Sequence, residues 1–307
     1  MDSTFSKLSA FWPTKNQLFP TSSRLRKGLS WSVNGMLALC LLSIGGCALK
    51  GSQHPVTVLS YNIRYDNPGD SLDAWPNRSQ WVASILKESD ASIFGLQEAL
   101  KHQIDDIQSE MNRFFWVGVG RDDGVAAGEY SPVFYDPTIW TVIQWETRWL
   151  SPDSSAVGQA GWDAALPRIA TVVDFARNLD DGRLRVINTH FDHRGVEARR
   201  ESAKLIRRWA QETGGNVVVM GDFNFEPTDS AYTSIVDSCD LIDVAASMEA
   251  GAQPTFLGFD ASNTSGPRID YLFVSNGILV RTFDVISEVR NGRYPSDHAP
   301  IVSRITF

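Results

Sequence analysis

From Val56 onward the chain alternates short apolar runs with segments of helical spacing. Runs at Val56–Ile63, Ser92–Gln97, Val133–Tyr135, Trp140–Trp145, Ile169–Phe175, Leu184–Thr189, Val217–Met220, Ile269–Val274, Leu279–Ile286 and Pro300–Phe307 predict strands. Between them, Asn77 stands as a helix cap ahead of Trp81, Ile85 and Leu86 on one face. Glu197–Gln211 places Ala198, Leu205 and Trp209 at helical spacing among basic residues. Ten strands interleaved with helices predict an α/β layered architecture, with sheets packed between helices. Residues 56–307 contain no repeat, low-complexity tract or Pro/Gly-rich break, and read as one domain.

Residues 1–55 follow a different pattern. Arg24-Leu-Arg26-Lys27 precedes the apolar run Met36–Ile44, which leads into Gly45-Gly46-Cys47. This is the order of a charged region, a short apolar region, small residues and a cysteine. The apolar run falls well short of the roughly 20 residues that span a bilayer. The segment resembles the lipobox of bacterial lipoproteins, which implies a signal segment over 1–46, cleavage before Cys47 and diacylation of its thiol. Residues 47–55 are then a tether, and two acyl chains suffice for stable membrane anchoring. The implied location is the cell envelope, with Ala48 pointing to the periplasmic face of an outer membrane in a Gram-negative cell. Cys40 and Cys47 belong to this segment, so Cys239 is alone in the body and an intradomain disulfide is excluded.

Charge divides along the same boundary. Of the net −8, residues 1–46 contribute five bases and one acid, leaving 23 bases and 35 acids, or −12, in the rest. Nonspecific nucleic-acid binding draws its free energy from Lys and Arg neutralising phosphates, so a basic nucleic-acid coat is excluded. A local basic cleft is not.

Within the acidic body, apolar runs repeatedly end in polar groups. Asn62 closes the first strand, Glu98 follows Ile93–Gln97, and His190-Phe-Asp192-His193 follows Val186–Thr189. An Asn after a strand is commonly a turn former, and a carboxylate there is commonly a solvent-facing helix cap. Two histidines beside an aspartate at a strand exit point instead to proton transfer or metal ligation. Gly221-Asp222-Phe-Asn224 is more specific: Gly221 permits a turn or close approach to a ligand, and Asp222 and Asn224 project the same way at period two. An Asx-turn is the competing explanation for either residue alone. Asp270 lies in an otherwise apolar strand and needs a partner, which His298 in Ser296-Asp297-His298 supplies while Asp297 stays free for a metal. Asn62, Glu98, His190, Asp222, Asn224, Asp270, Asp297 and His298 offer oxygen and imidazole donors without cysteine, a set favouring Mg²⁺ or Mn²⁺ over zinc.

The ordered series Tyr-Asn62-Ile, Gln-Glu98, Asn-Thr-His190, Gly-Asp222-Phe-Asn224, Arg-Ile-Asp270-Tyr and Ser-Asp297-His298 resembles the endonuclease/exonuclease/phosphatase superfamily. The resemblance runs from about Val56 to Phe307 and implies a four-layer α/β sandwich, with two mixed sheets face to face and helices outside. It implies that Glu98 is the main metal carboxylate, with Asn62 and Asp297 completing the metal environment. Asp222 resembles the residue that orients or deprotonates the attacking water, and Asn224 its phosphate-positioning neighbour. His298, paired with Asp270, would polarise the phosphate, while His190 resembles the second histidine of nuclease-like members, oriented by Glu129. Abasic-site endonucleases carry a different residue at the His190 position, which speaks against a DNA-repair role. Arg168 opens a strand and is suited to clamp a phosphate, with His193 and Trp162 beside the substrate. Trp75, Arg78, Asp122 and Asp123 are further cleft candidates.

The expected activity is Mg²⁺-dependent phosphoester hydrolysis by in-line water attack. The motifs most resemble a bacterial branch near deadenylase-like exonucleases, so the first expectation is a nuclease or phosphodiesterase on short substrates. The alternative is a phosphatase of a small phosphorylated metabolite, sugar or lipid headgroup. The chain lacks the Trp-Cys-Asp-Arg element of inositol 5-phosphatases and the exposed aromatic hairpin of sphingomyelinases. A catalytically silent binding lipoprotein is the contrasting class, and several mutually repelling carboxylates kept together argue against it. A phosphoester substrate and a membrane are the expected partners, with no obligate protein partner.

Overall fold

The computed structural model describes residues 54–237, 240–249 and 253–307. The signal segment, Cys47, most of the tether and Cys239 lie outside the described residues. Among the described residues, no helix is long and apolar enough to cross a membrane.

Among the described residues, twelve strands form two six-stranded mixed sheets. The first contains β1 (Val56–Asn62), β2 (Ile93–Gln97), β3 (Phe115–Val117), β4 (Val133–Tyr135), β11 (Leu279–Val285) and β12 (Ile301–Thr306), in the order β11-β12-β1-β2-β4-β3. The second contains β5 (Trp140–Trp149), β6 (Ile169–Arg177), β7 (Arg183–His190), β8 (Asn216–Asp222), β9 (Leu241–Asp243) and β10 (Asp270–Ser275), in the order β5-β6-β7-β8-β10-β9. Each sheet has a single parallel pair at its centre, β1 with β2 and β7 with β8, and its other pairings are antiparallel. A parallel pair needs a crossover connection, and helices α1 (Trp75–Glu88) and α3 (Val196–Gln211) supply the two.

Three apolar layers follow from strand alternation. Val58, Ile93 and Ile301 of the first sheet meet Val186, Val218 and Met220 of the second. On the outer face of the first sheet, Leu59, Tyr61, Phe94 and Leu96 lie under Val82 and Leu86 of α1 and Ile104 and Ile107 of α2 (Lys101–Glu110). On the outer face of the second, Val217, Val219 and Phe273 lie under Ala203, Ile206 and Trp209 of α3. Val217–Met220 is continuously apolar because β8 is covered on both faces. The result is the four-layer sandwich that the motifs imply.

A polar bolt joins the sheets through this core. Asn188 of β7 donates to the carbonyls of Leu96 and Pro132, both at 2.8 Å, and accepts from Gln97 Nε2 at 2.6 Å. Gly95 makes room for it, since a Cβ there would stand 2.5 Å from Asn188 Cγ.

The ten expected strands are present, and the short β3 and β9 join them. Asn77 is not the cap of α1: the helix starts at Trp75 after Ala74, with Pro76 in its first turn. Asn77 instead donates to the carbonyls of Ser71 and Leu72. Trp81 is half-buried at the helix edge, and its indole donates to Glu288 at 3.0 Å.

Candidate active site

The two parallel pairs bring their carboxyl ends together, and open sheets of this kind bind ligands at those ends. Asn62 is the last residue of β1, Glu98 follows β2, His190 ends β7 and Asp222 ends β8. The antiparallel neighbours contribute their starts: Asp270 opens β10 directly opposite Asp222, and Asp297 and His298 lead into β12. A cavity of about 850 Å³ opens there, lined by Glu98, Glu129, Arg168, His190, His193, Asp222, Asn224, Asp297 and His298.

Asn62 is fully buried and ties the centre together. Its Nδ2 donates to Asp222 Oδ2 at 2.9 Å and Glu98 Oε1 at 3.2 Å, while its Oδ1 accepts from the Arg64 amide at 3.0 Å. Asn62 thus cross-links two carboxylates through its nitrogen, and its oxygen, which accepts once from backbone, keeps a second lone pair for a metal. Glu98 has a left-handed backbone (φ 60°), and its Oε2 accepts from the Tyr65 amide at 3.1 Å.

The two histidines sit in opposite electrostatic settings. His298 Nδ1 is 2.9 Å from Asp270 Oδ2, and its Nε2 is 3.7 Å from Asp222 Oδ2. Burial works against the imidazolium, but the charges of Asp270 and Asp222 and the Asp270 hydrogen bond outweigh it and hold His298 well above the usual imidazole range. His190 is also buried, and although its Nε2 is 3.4 Å from Asp222 Oδ2, burial first and then the charges of Arg168 and Arg121 push it well below that range. One imidazole is kept charged and the other neutral.

Burial pushes Asp222 up to about 7, opposed by His298 and aided by Asp270. Burial likewise raises Asp297, opposed by His298 and aided by Glu98. Glu98, His190 and Asp222 offer ligand atoms all within 4.8 Å of one another. Two carboxylates and an imidazole this close together fit a divalent cation. Asp222, Asp270 and His298 form a second such group, but there the short imidazole–carboxylate hydrogen bond already consumes Nδ1.

Asn224 reaches the site by a different route from strand alternation. Its backbone is left-handed (φ 50°), and its amide donates to Asp222 Oδ1 at 2.9 Å, which closes an Asx-turn. Its Nδ2 lies 3.1 Å from both His190 Nε2 and the Phe191 carbonyl. The turn and the site are one feature here, rather than competing explanations. The close approach at Gly221 (φ 152°) is to the chain itself: a Cβ would stand 2.0 Å from the Thr189 carbonyl oxygen.

Glu129 Oε2 is 3.9 Å from His190 Nδ1, beyond hydrogen-bond reach, because Arg121 Nη1 holds the same oxygen at 2.6 Å. Arg168 is buried against the cavity, with Nε 3.4 Å from Asp192 Oδ2, Nη2 3.1 Å from His193 Nδ1, and Nη1 without a protein partner. Trp162 does not line the cavity; it packs against the core beneath α3. Trp75 and Arg78 are also removed from it. The Trp75 indole donates to Asp106, and the Arg78 guanidinium donates to the carbonyls of Ile63, Arg64, Asp73 and Pro295. Asp123 caps a turn by accepting from the amides of residues 125–127, and Asp122 stands 3.8 Å from Arg121.

Sequence reasoning passed over Arg121, and it took Asp192 only as the acid beside two histidines, not as the anchor of their loop. Asp192 accepts from the amides of Arg194 and Gly195 and thereby fixes the loop that carries His193. Its place two residues after His190 was the available signal. For Phe256 and Glu226, which also line the cavity, the sequence carries no such signal.

The sequence matches the endonuclease/exonuclease/phosphatase family over residues 59–298. No curated protein matches it. Among solved structures, an endonuclease/exonuclease/phosphatase from Bacteroides vulgatus is 35% identical, covering 82% of this chain and 99% of that one, with a TM-score of 0.75. A family protein from Bacteroides thetaiotaomicron is 32% identical over 83% of this chain and 98% of that one, with a TM-score of 0.78. A mannosyl-6-phosphatase from the same species is 32% identical over 82% of this chain and 100% of that one, with a TM-score of 0.77. The chain belongs to the endonuclease/exonuclease/phosphatase family of phosphoester hydrolases.

Proposed function

We propose that the protein is a divalent-metal-dependent phosphatase of a small phosphorylated compound. The observation that carries the choice of phosphatase over nuclease is the state of the cations around the cavity. Among the described residues, the cavity is lined by no lysine, and each arginine lining it faces a carboxylate: Arg64 with Asp70, Arg168 with Asp192, Arg199 with Asp229. A polynucleotide track needs successive cations to neutralise successive phosphates, whereas one terminal phosphate needs only the reacting end. The likeness to a mannosyl-6-phosphatase supports the same reading.

Glu98 and Asp297 would hold the metal, with Asp222 beside them; Mg²⁺ is the expected ion and Mn²⁺ an acceptable substitute. When bound, the ion supplies Lewis-acid stabilisation of charge on the phosphate oxygens. His298, kept protonated by Asp270, donates to a phosphate oxygen as negative charge builds there. Arg168, whose guanidinium borders the cavity, donates to a second phosphate oxygen. Asp222 takes the proton of the attacking water, and Asn224 holds the phosphate in line. His190, neutral and fixed by Asn224, is placed to orient the same water.

The test is a substrate comparison on the purified protein with Mg²⁺, Mn²⁺ or EDTA. Free phosphate released from small phosphomonoesters, with an oligonucleotide ladder left intact, supports the proposal. Endwise shortening of the ladder without phosphate release from monoesters supports the exonuclease reading instead. We further propose that Cys47 carries a lipid anchor that places the enzyme at the cell envelope. Mass spectrometry of the membrane fraction checks this, and an unmodified Cys47 in the mature protein refutes it.

A further inference from the structure

The cavity is also lined by residues that the hydrolytic step does not use. Phe256 lies beside His298 with ring centroids 5.0 Å apart and ring planes at 67°, and it keeps 38% of its surface exposed. Its position is rigid: its backbone bridges to His298, and its amide donates to the Pro267 carbonyl at 3.1 Å. An exposed aromatic face is thus held next to the place where a phosphate would dock. Glu226 and Thr228, on the loop leaving β8, line the same cavity. Both are exposed, and among the described residues neither side chain makes a hydrogen bond or ion pair. Asp229 differs, since it caps α4 (Ser230–Val236) through the Ala231 amide at 2.8 Å and faces Arg199 at 3.5 Å.

Resting on the phosphatase reading above, we propose that Phe256, Glu226 and Thr228 form a leaving-group subsite selective for a neutral, polyhydroxylated ring such as a hexose. The ring's C–H face packs on Phe256. The Glu226 carboxylate accepts from ring hydroxyls, and the Thr228 hydroxyl donates or accepts as the ring requires. The same carboxylate repels a second phosphate on the leaving group, so the subsite selects by repulsion as well as by attraction. A nucleotide chain, anionic at each link, is disfavoured for the same reason.

The experiment compares kcat/KM for a hexose 6-phosphate, phenyl phosphate and a hexose 1,6-bisphosphate in the full-length protein and its Glu226→Ala, Glu226→Gln and Phe256→Ala variants. Phenyl phosphate can stack on Phe256 but has no hydroxyls for Glu226. Glu226→Ala is expected to lower the ratio of hexose 6-phosphate to phenyl phosphate by about tenfold, carried mainly by KM, as loss of a hydrogen bond to a charged acceptor implies. Phe256→Ala should raise KM for both monophosphates. Glu226→Gln should raise the relative rate on the bisphosphate. Turnover of phenyl phosphate by each variant shows that it is folded. An unchanged hexose-to-phenyl ratio in Glu226→Ala, with wild-type phosphatase activity present, overturns the subsite alone. No phosphate release from any monoester by the wild type overturns the phosphatase reading and the subsite with it.

Discussion

Asp270→Asn isolates the charge behind His298 with little change in shape. The carboxylate oxygen lies 2.9 Å from Nδ1, and the asparagine oxygen can still accept that hydrogen bond. What disappears is a full negative charge beside a buried cation, a pair worth about 4 kcal/mol at ~4 Å for an effective dielectric near 20. Part of this is recovered by the neutral hydrogen bond and by Asp222 nearby, leaving a loss of about 2–4 kcal/mol in transition-state stabilisation. At about 1.4 kcal/mol per decade, kcat should fall about 30- to 1000-fold. The pH profile must also move. In the wild type His298 is held well above the imidazole range, so its proton is present through neutral pH and lost only on the alkaline side. Without the Asp270 carboxylate, the charge that most opposes burial and its charge-assisted hydrogen bond are gone and only the charges of Asp222 and Asp297 remain, so the imidazolium pKa falls and the descending limb shifts to lower pH. The assay is kcat against pH at saturating metal and substrate, with circular dichroism confirming an intact fold. A variant with kcat within about threefold of wild type and an unmoved descending limb refutes the charged-imidazole reasoning.

Two further predictions concern parts of the fold that hold the site. Arg78→Ala removes a buried guanidinium that donates to four backbone carbonyls, including those of Ile63 and Arg64 beside the cavity. The loss should be on the order of 3 kcal/mol, lowering Tm by about 6–12 °C in a domain of this size; a change within about 2 °C contradicts the structural assignment. Burial tends to raise Asp192, but hydrogen bonds from Gly195 and Arg194, with others, win and bring it down to about 2. A carboxylate depressed in the folded state stabilises above its unfolded pKa, and that contribution disappears as pH falls through its folded value. Asp192→Asn should therefore flatten the stability loss between about pH 4 and pH 2, by about 1–2 kcal/mol after solvent screening. Urea unfolding across that range measures it, and parallel curves for the two proteins refute it.

The strands were legible because β1, β7, β8 and β10 are buried on both faces and so carry dense apolar runs. The short β3 and β9 have three residues each, too few to show a period. Site residues were legible where a polar group interrupts or ends such a run, as at Asn62, Asp222 and Asp270, because a buried polar group there needs a partner. The same rule misplaced others. Arg78 and Trp75 are polar-bearing residues near the first strand, but their partners are backbone carbonyls and Asp106, which no local pattern reveals. Trp162 belongs to the packing beneath α3, and an aromatic next to a charged motif looks the same in either role. Asn224 reached its expected place through a left-handed turn rather than strand alternation. Phe256 and Glu226 lie thirty residues apart, and only the fold brings them to one cavity. Arg121 sits in a glycine-flanked acidic turn, and the turn itself pairs it with Glu129, through the Arg121 amide to the Glu129 carbonyl at 3.1 Å as well as through the side chains, a local fold-back that no period in the sequence marks.

Metal-dependent phosphate release is the property from which every role assigned at the site follows. Metal-stripped protein, assayed with a small phosphomonoester while Mg²⁺ is titrated back, is predicted to be inactive without the ion and to recover as it is added. Glu98→Gln should require much more Mg²⁺ to reach half its maximal rate. Undiminished turnover by the stripped protein, or a Glu98→Gln titration that overlays the wild type, would contradict the account.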